Sequence, residues 1–122
     1  MLKPVACDVA IIGAGSAGLA AYHAAKAVGA KVLLIEAGAG GTTCARYGCM
    51  PSKLLLAAAR AARDTKAAKM FGVHAGDLNV NGKAVMTRLR RERDHFVEAV
   101  LEDVAAIPPA DRLHGRARFA GP

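Results

Sequence analysis

Two of the three cysteines, Cys44 and Cys49, fall in the run GGTTCARYGCMPSK between Gly40 and Lys53. Thiols at this spacing can pair as a disulfide, bind a metal or sit as unrelated buried side chains. A disulfide needs Cα atoms within about 7 Å, whereas five steps of ideal helix already rise about 7.5 Å. The intervening Ala45, Arg46, Tyr47 and Gly48 must therefore bend if the two pair, and Gly48 permits a bend. Pro51 suits the first turn of a helix, where its missing N–H is not needed. A pair placed there would sit among helix-start amides, which favour a thiolate and lower its pKa. Zinc usually takes four ligands, and the sequence has no second pair of cysteines. Cys7, at the start of an apolar run, reads as a small buried hydrophobe. Three cysteines do not make a secreted disulfide framework.

A second chemistry lies upstream. The apolar, β-branched run Val9–Ile12 leads into Gly13-Ala14-Gly15-Ser16-Ala17-Gly18. An alanine-rich helix over 19–28 follows, closed by Gly29, and then a strand over 31–35 that ends in Glu36. Strand, glycine turn, helix, strand and acid form the βαβ unit that holds a dinucleotide. Gly13 allows the tight turn, Gly15 lets the backbone approach a pyrophosphate, and Gly18 lets helix and strand pack closely. The helix amides face the phosphates, and Glu36 can accept from both ribose hydroxyls. Both strands lack polar alternation, which predicts strands covered on both faces.

Positioning these residues needs an α/β, Rossmann-like fold with a central parallel sheet and flanking helices. Helices are predicted over 52–70 and 84–104, the second carrying Val85, Leu89, Phe96, Val100, Leu101 and Val104 at near-helical spacing. Residues 74–83 read as loop, and 113–119 as a further strand. The chain of 122 residues is 53% hydrophobic and 4% aromatic, enough for one core. It has no apolar run of membrane-spanning length and no signal-peptide pattern, so the expectation is a cytoplasmic protein with no membrane partner. The formal charge is +7. The basic residues stand among alanines and acids without interleaved aromatics, which reads as a solvated helical face and not as a nucleic-acid surface.

The segment from Gly40 to Lys53 closely resembles the redox-active segment of the flavin-dependent pyridine nucleotide–disulfide oxidoreductases (class I), and within that family it is most similar to the dihydrolipoyl dehydrogenase branch. The GAGSAG turn, Glu36, the spacing onward to Cys44, and the run His114 to Phe119 also match. The resemblance implies that residues 1–122 are the N-terminal part of an FAD-binding domain. The NAD-binding and dimerisation domains, and a catalytic histidine–glutamate pair, would lie outside them. It implies bound FAD, with Gly13, Gly15 and Gly18 at the pyrophosphate, Glu36 at the ribose, and Gly41, Thr42 and Thr43 continuing the contacts. Lys53 would stand near the flavin ring, and Ala117 would touch adenine through its backbone. Cys44 and Cys49 would form the redox disulfide, Cys44 exchanging with the substrate dithiol and Cys49 nearer the flavin. The implied reaction passes electrons from dihydrolipoamide through the disulfide and FAD to NAD⁺, in a protein that is a homodimer when full length. The resemblance also admits a glutathione- or mercuric-reductase-like enzyme. A third reading is a truncated, non-catalytic flavin-binding fragment, and the isolated 122 residues are expected to be inactive. His114 and His23 read as cofactor-neighbourhood or surface residues, and no metal site is expected. The run departs from the common family form at one point: two residues, Thr42 and Thr43, separate the glycine pair from the first cysteine, where one is usual.

Overall fold

The structure, a computed structural model, describes residues 4–121. These divide into two units, one formed by residues 4–43 with 97–121 and the other by residues 44–96.

The first unit is the α/β part. Its elements are strand β1 (Val9–Ile12), helix α1 (Ser16–Ala27), strand β2 (Val32–Glu36) and strand β3 (Arg112–His114). The three strands make one parallel sheet in the order β1-β2-β3. Val9 stands opposite Val32, Ile12 opposite Ile35, and Glu36 opposite His114. β2, central in the sheet, carries the fully buried Val32 and Leu34. Around them Ile11, Ala14, Tyr22 and Ile107 complete a core, with Leu19, Ala25, Ala30 and Val104 packed on it.

Side chains tie this unit together at one more place. Tyr22 and Lys26 lie one turn apart on α1, so they face the same way. The Tyr22 hydroxyl donates to Asp111 Oδ2 at 2.8 Å, and Lys26 Nζ reaches the same oxygen at 3.0 Å. Asp111 belongs to a short 3-10 turn, Pro109–Asp111, that leads directly into β3. Both donors hold the Asp111 carboxyl below its ordinary range, Lys26 more than Tyr22. Burial, and then the bond to Asp111, raise the Tyr22 phenol above its own.

The second unit is helical. After the short helix α2 (Thr43–Arg46) comes α3 (Cys49–Ala67), continued by a 3-10 turn over Ala68–Phe71. Gly72, at φ +75°, closes that turn. Helix α4 (Gly82–Ala106) begins in this unit and ends in the first. Asn81 starts it: its side-chain oxygen accepts from the Ala84 amide at 3.0 Å and its carbonyl from Val85 at 3.1 Å. This is N-capping, and it sets the helix start two residues earlier than predicted.

The sequence expectations need four further corrections. β1 is not covered on both faces: Ile12 is 59% exposed while Ile11 is buried, because side chains alternate between the faces of a strand and the face carrying Ala10 and Ile12 is left open among the described residues. β3 stops at His114 instead of running to Phe119. β2 ends at Glu36, so after the Gly115 amide bonds the Glu36 carbonyl at 2.9 Å the strand has no partner left. α3 begins at Cys49, earlier than Ser52. On α4 the buried member of the apolar stripe is Val97, with Leu89, while Phe96 is exposed.

Candidate functional site

In the first unit the glycine turn is built by the main chain. Gly13 sits at φ +100°, a conformation for which a side chain is poorly suited, and its amide donates to the Ile35 carbonyl at 2.7 Å. The helix that follows passes close over this turn. A Cβ at Gly18 would overlap the Gly13 carbonyl oxygen and stand 3.3 Å from Ile11 Cγ2. Gly15, the N-cap of α1, is different: a Cβ there would meet nothing within 4 Å. The turn thus has a glycine that the fold requires at Gly18, and one at Gly15 whose empty side the protein leaves open. The first-turn amides of α1 have no acidic side chain in that turn to bond, so they suit an anion.

Glu36 is held to this turn. Its Oε2 accepts from the Ala14 amide at 2.8 Å and its Oε1 from the Gly38 amide at 2.6 Å. These bonds, that from Gly38 foremost, hold the carboxyl below the ordinary glutamate value of 4.5, and the charge of His114 adds a smaller pull in the same direction. A third main-chain bond, from Ala37, also lowers it; a carboxylate has about four acceptor positions, so these bonds leave room for a further donor. The reciprocal arrangement, carboxylate to glycine-turn amide, has no signature in sequence spacing.

Beside Glu36 lies a pocket of about 370 Å³, within the range of roughly 300–1,000 Å³ usual for small-molecule sites. Leu34, Leu101, Val104 and Pro109 give it apolar walls, and Glu36, Arg112 and His114 give it polar ones. The register explains the polar set. Parallel partners share a face, and Leu34 pairs with Arg112 as Glu36 pairs with His114. Arg112 and Pro109 were not predicted as site residues, and Leu101 and Val104 were read from the sequence only as part of the apolar stripe of α4. Ala117 lies three residues beyond β3 in irregular backbone and is not among the residues lining this pocket.

The loop from Gly40 to Thr42 takes three successive positive φ angles, +67°, +78° and +55°. Two belong to glycines. Thr42 is a β-branched residue in the same region, where such residues are genuine outliers. It stands in the very stretch where this sequence carries one residue more than the common family form.

In the second unit, Cys49 is the first residue of α3, with Gly48 as N-cap and Pro51 in the first turn. The bend expected between the cysteines is present: α2 ends at Arg46, and Tyr47 and Gly48 turn the chain. Cys44 and Cys49 are free thiols, Cys44 half-buried and Cys49 exposed. Their side chains share a hydrogen bond. That bond, then burial and the charge of an ionised Cys49, raise the Cys44 thiol above its ordinary value of 9.0. The Cys49 main-chain N–H and the Lys53 charge pull the other way and do not win. The lowering expected from a helix start alone is therefore reversed at Cys44, because the largest influence on it is the second thiol. Lys53 is exposed, one turn along α3 from Cys49. Cys7, half-buried, lies just before β1. Among the described residues no group of three or more histidines, cysteines or acids is arranged to hold a metal, and no helix is long and apolar enough to cross a membrane.

Comparison with known proteins adds the family. A family model described as pyridine nucleotide-disulphide oxidoreductase matches residues 7–114. A mercuric reductase of Streptomyces lividans is 39% identical over 121 residues, which cover 93% of this chain and 24% of that protein. A dihydrolipoyl dehydrogenase of Chlamydia trachomatis is 40% identical over 108 residues, 88% of this chain and 22% of the relative. Another, from Halobacterium salinarum, is 35% identical over 117 residues. The chain spans about a quarter of the length of the curated relatives it matches.

Proposed function

This chain belongs to the pyridine nucleotide-disulphide oxidoreductase family, and on that premise we propose that it is the start of the FAD-binding domain of a dihydrolipoyl dehydrogenase, with Cys44 and Cys49 as its redox pair. The observation that carries the reading is the pair of thiols in hydrogen-bond contact at the start of α3. The open side of Gly15, the α1 amides and the Glu36 pocket fit a dinucleotide: pyrophosphate over the glycine turn, ribose at Glu36 and adenine between the apolar walls. Gly41, Thr42 and Thr43 would extend those contacts, and Ala117 would add a main-chain contact to the base.

In this reading one thiolate of dihydrolipoamide attacks the Cys44 sulfur of the disulfide, and Cys49 leaves as a thiolate. The second substrate thiolate then attacks its own mixed disulfide and releases Cys44. Oxidised lipoamide departs, and two electrons remain on the cysteine pair. Lys53, one turn past Cys49, would balance the negative charge that collects there. Bound FAD would accept the pair of electrons and hand them to NAD⁺ as hydride. The NAD-binding and dimerisation domains would lie outside these residues, and the working enzyme would be a homodimer.

A second reading has its own support in the similarity to the Streptomyces lividans mercuric reductase. There the same pair would be kept reduced by a nicotinamide and would deliver its electrons to mercuric ion. One variant tests the shared step. In Cys49→Ser, the Cys44 thiolate can displace a small thiol from an acyclic disulfide analogue of lipoamide whose second sulfur is methylated, so no neighbouring thiol can resolve the product and a mixed disulfide should accumulate and appear as one added analogue by intact mass. No adduct in Cys49→Ser, or an equal adduct in Cys44→Ser, would contradict the assignment. Steady turnover by the full-length wild type with dihydrolipoamide and NAD⁺, and none with mercuric ion, would favour the first reading over the second.

A further inference from the structure

Three side chains that take no part in the chemistry derived above share one contact. Asp111 Oδ2 accepts from the Tyr22 hydroxyl at 2.8 Å and lies 3.0 Å from Lys26 Nζ. None of the three lines the pocket beside Glu36, yet Asp111 stands between two residues that do. Pro109 belongs to the same 3-10 turn, and Arg112 is the first residue of β3. The Lys26 ion pair is exposed on the lysine side, and alone it would count for little. The phenol is different. Tyr22 is 4% exposed, so its hydroxyl has little water to turn to, and losing a bond to a charged partner is costly. Both donors stand on α1, the helix whose first-turn amides lie at the glycine turn. From Ser16 to Tyr22 that helix rises about 9 Å, and a helix is a stiff spacer. One end of α1 therefore meets the phosphate side of the site, while its middle holds the turn that carries a wall of the pocket.

On the reading of the glycine turn and this pocket as one dinucleotide site, we propose that Asp111 is a positioning residue: bonded to Tyr22 and Lys26, it sets the distance between the wall at Pro109 and the amides at the start of α1. Asp111 itself touches no ligand. A ligand that reaches only the wall does not depend on that distance. A ligand that spans wall and amides gains from its second contact only when the spacing fits its length.

The test compares ADP with adenosine on the full-length protein freed of flavin, ADP by calorimetry and adenosine by displacement of ADP. The ratio of the two affinities measures what is gained by reaching both ends. Tyr22→Phe keeps the buried ring and removes one donor, and Lys26→Met keeps the stem and removes the other. In the double variant the ratio should fall by about fivefold or more, the usual size of a coupling between two sites. Tyr22→Phe alone, the milder change, should move it the same way by less. A contact that served only to hold the fold together would weaken both ligands alike and leave the ratio where it was. An unchanged ratio in both variants would therefore overturn the inference, even with a lowered melting temperature. A wild type that binds no ADP, or binds it no more tightly than adenosine, would overturn the dinucleotide reading itself, and the inference with it.

Discussion

Both candidate centres stand at the start of a helix, α1 for the glycine turn and α3 for the thiols, yet they are held in opposite ways. At α1 the main chain does the work: a left-handed glycine, a close helix–strand approach at Gly18, and amides of Ala14 and Gly38 bonded to Glu36. Beneath it lies the core of Ile11, Val32 and Leu34. At α3 the chemistry is carried by side chains on a helix with no buried residue. A site made of main chain is broken by adding atoms, whereas a site made of side chains is broken by exchanging them.

The largest effect should follow from adding one methyl at Gly18. Gly18→Ala forces a Cβ onto the Gly13 carbonyl. Overpacking of this kind costs about 3 kcal/mol, and the backbone here cannot step aside without opening the α1–sheet contact. The thermal transition should fall steeply, and dinucleotide binding should fall with it. In the second unit, Cys44→Ser and Cys49→Ser should each reduce disulfide turnover to background. Their unfolding free energies should stay within about 0.5 kcal/mol of wild type, as expected for substitutions that leave packing intact. A comparable loss of stability in either cysteine variant would break the contrast between the centres.

Gly15→Ala separates binding from folding within the first unit. The added methyl meets no protein atom, so stability should change by less than about 0.5 kcal/mol. If a pyrophosphate approaches that side, binding of FAD should weaken by about tenfold or more, the effect of a steric clash worth roughly 1.4 kcal/mol. Unchanged affinity would remove the pyrophosphate from Gly15.

The acid limb of stability sharpens the same comparison. The Glu36 carboxyl is held below its ordinary 4.5. Its bonds therefore stabilise the fold above that pH and are lost as pH falls through the lower folded value. Asp111 is also depressed, from 3.8, and acts with the same sign. In Glu36→Gln, the loss of stability as pH falls below about 4.5 should be shallower than in the wild type. A denaturant midpoint measured across that range decides it, and identical slopes would contradict the latch to Ala14 and Gly38.

The smallest effect concerns Thr42. A left-handed conformation costs an ordinary residue about 1–2 kcal/mol, and glycine gives part of that back through a freer unfolded chain. Thr42→Gly should thus stabilise the protein by about 0.5 kcal/mol in chemical unfolding. A loss of stability instead would mean that contacts of the threonine outweigh its strain.

The two centres also differed in how far they could be read from the sequence. The glycine turn, its flanking strands, α1 and Glu36 were legible because each glycine answers a local demand on the chain. The cysteine spacing was legible for the same reason, with Gly48 and Pro51 announcing a bend and a helix start. What stayed hidden depends on register and on distant segments. Arg112 and His114 reach the pocket only because β3 pairs with β2, and Asp111 meets Tyr22 and Lys26 across more than eighty positions of chain. The exposure of β1 was missed because an apolar run looks alike whether one face of the strand is covered or both are. The raised Cys44 thiol was missed because helix-start reasoning counts amides and leaves out the second sulfur.

The central claim is that the two centres serve one redox path, with the dithiol exchanging electrons with a dinucleotide held at the glycine turn. It is tested most directly by the visible absorbance of the purified, flavin-loaded protein after anaerobic addition of dihydrolipoamide. The wild type should bleach, while Cys44→Ser and Cys49→Ser should keep their flavin and stay yellow. A wild type that binds no flavin, or variants that bleach at the wild-type rate, would contradict the account.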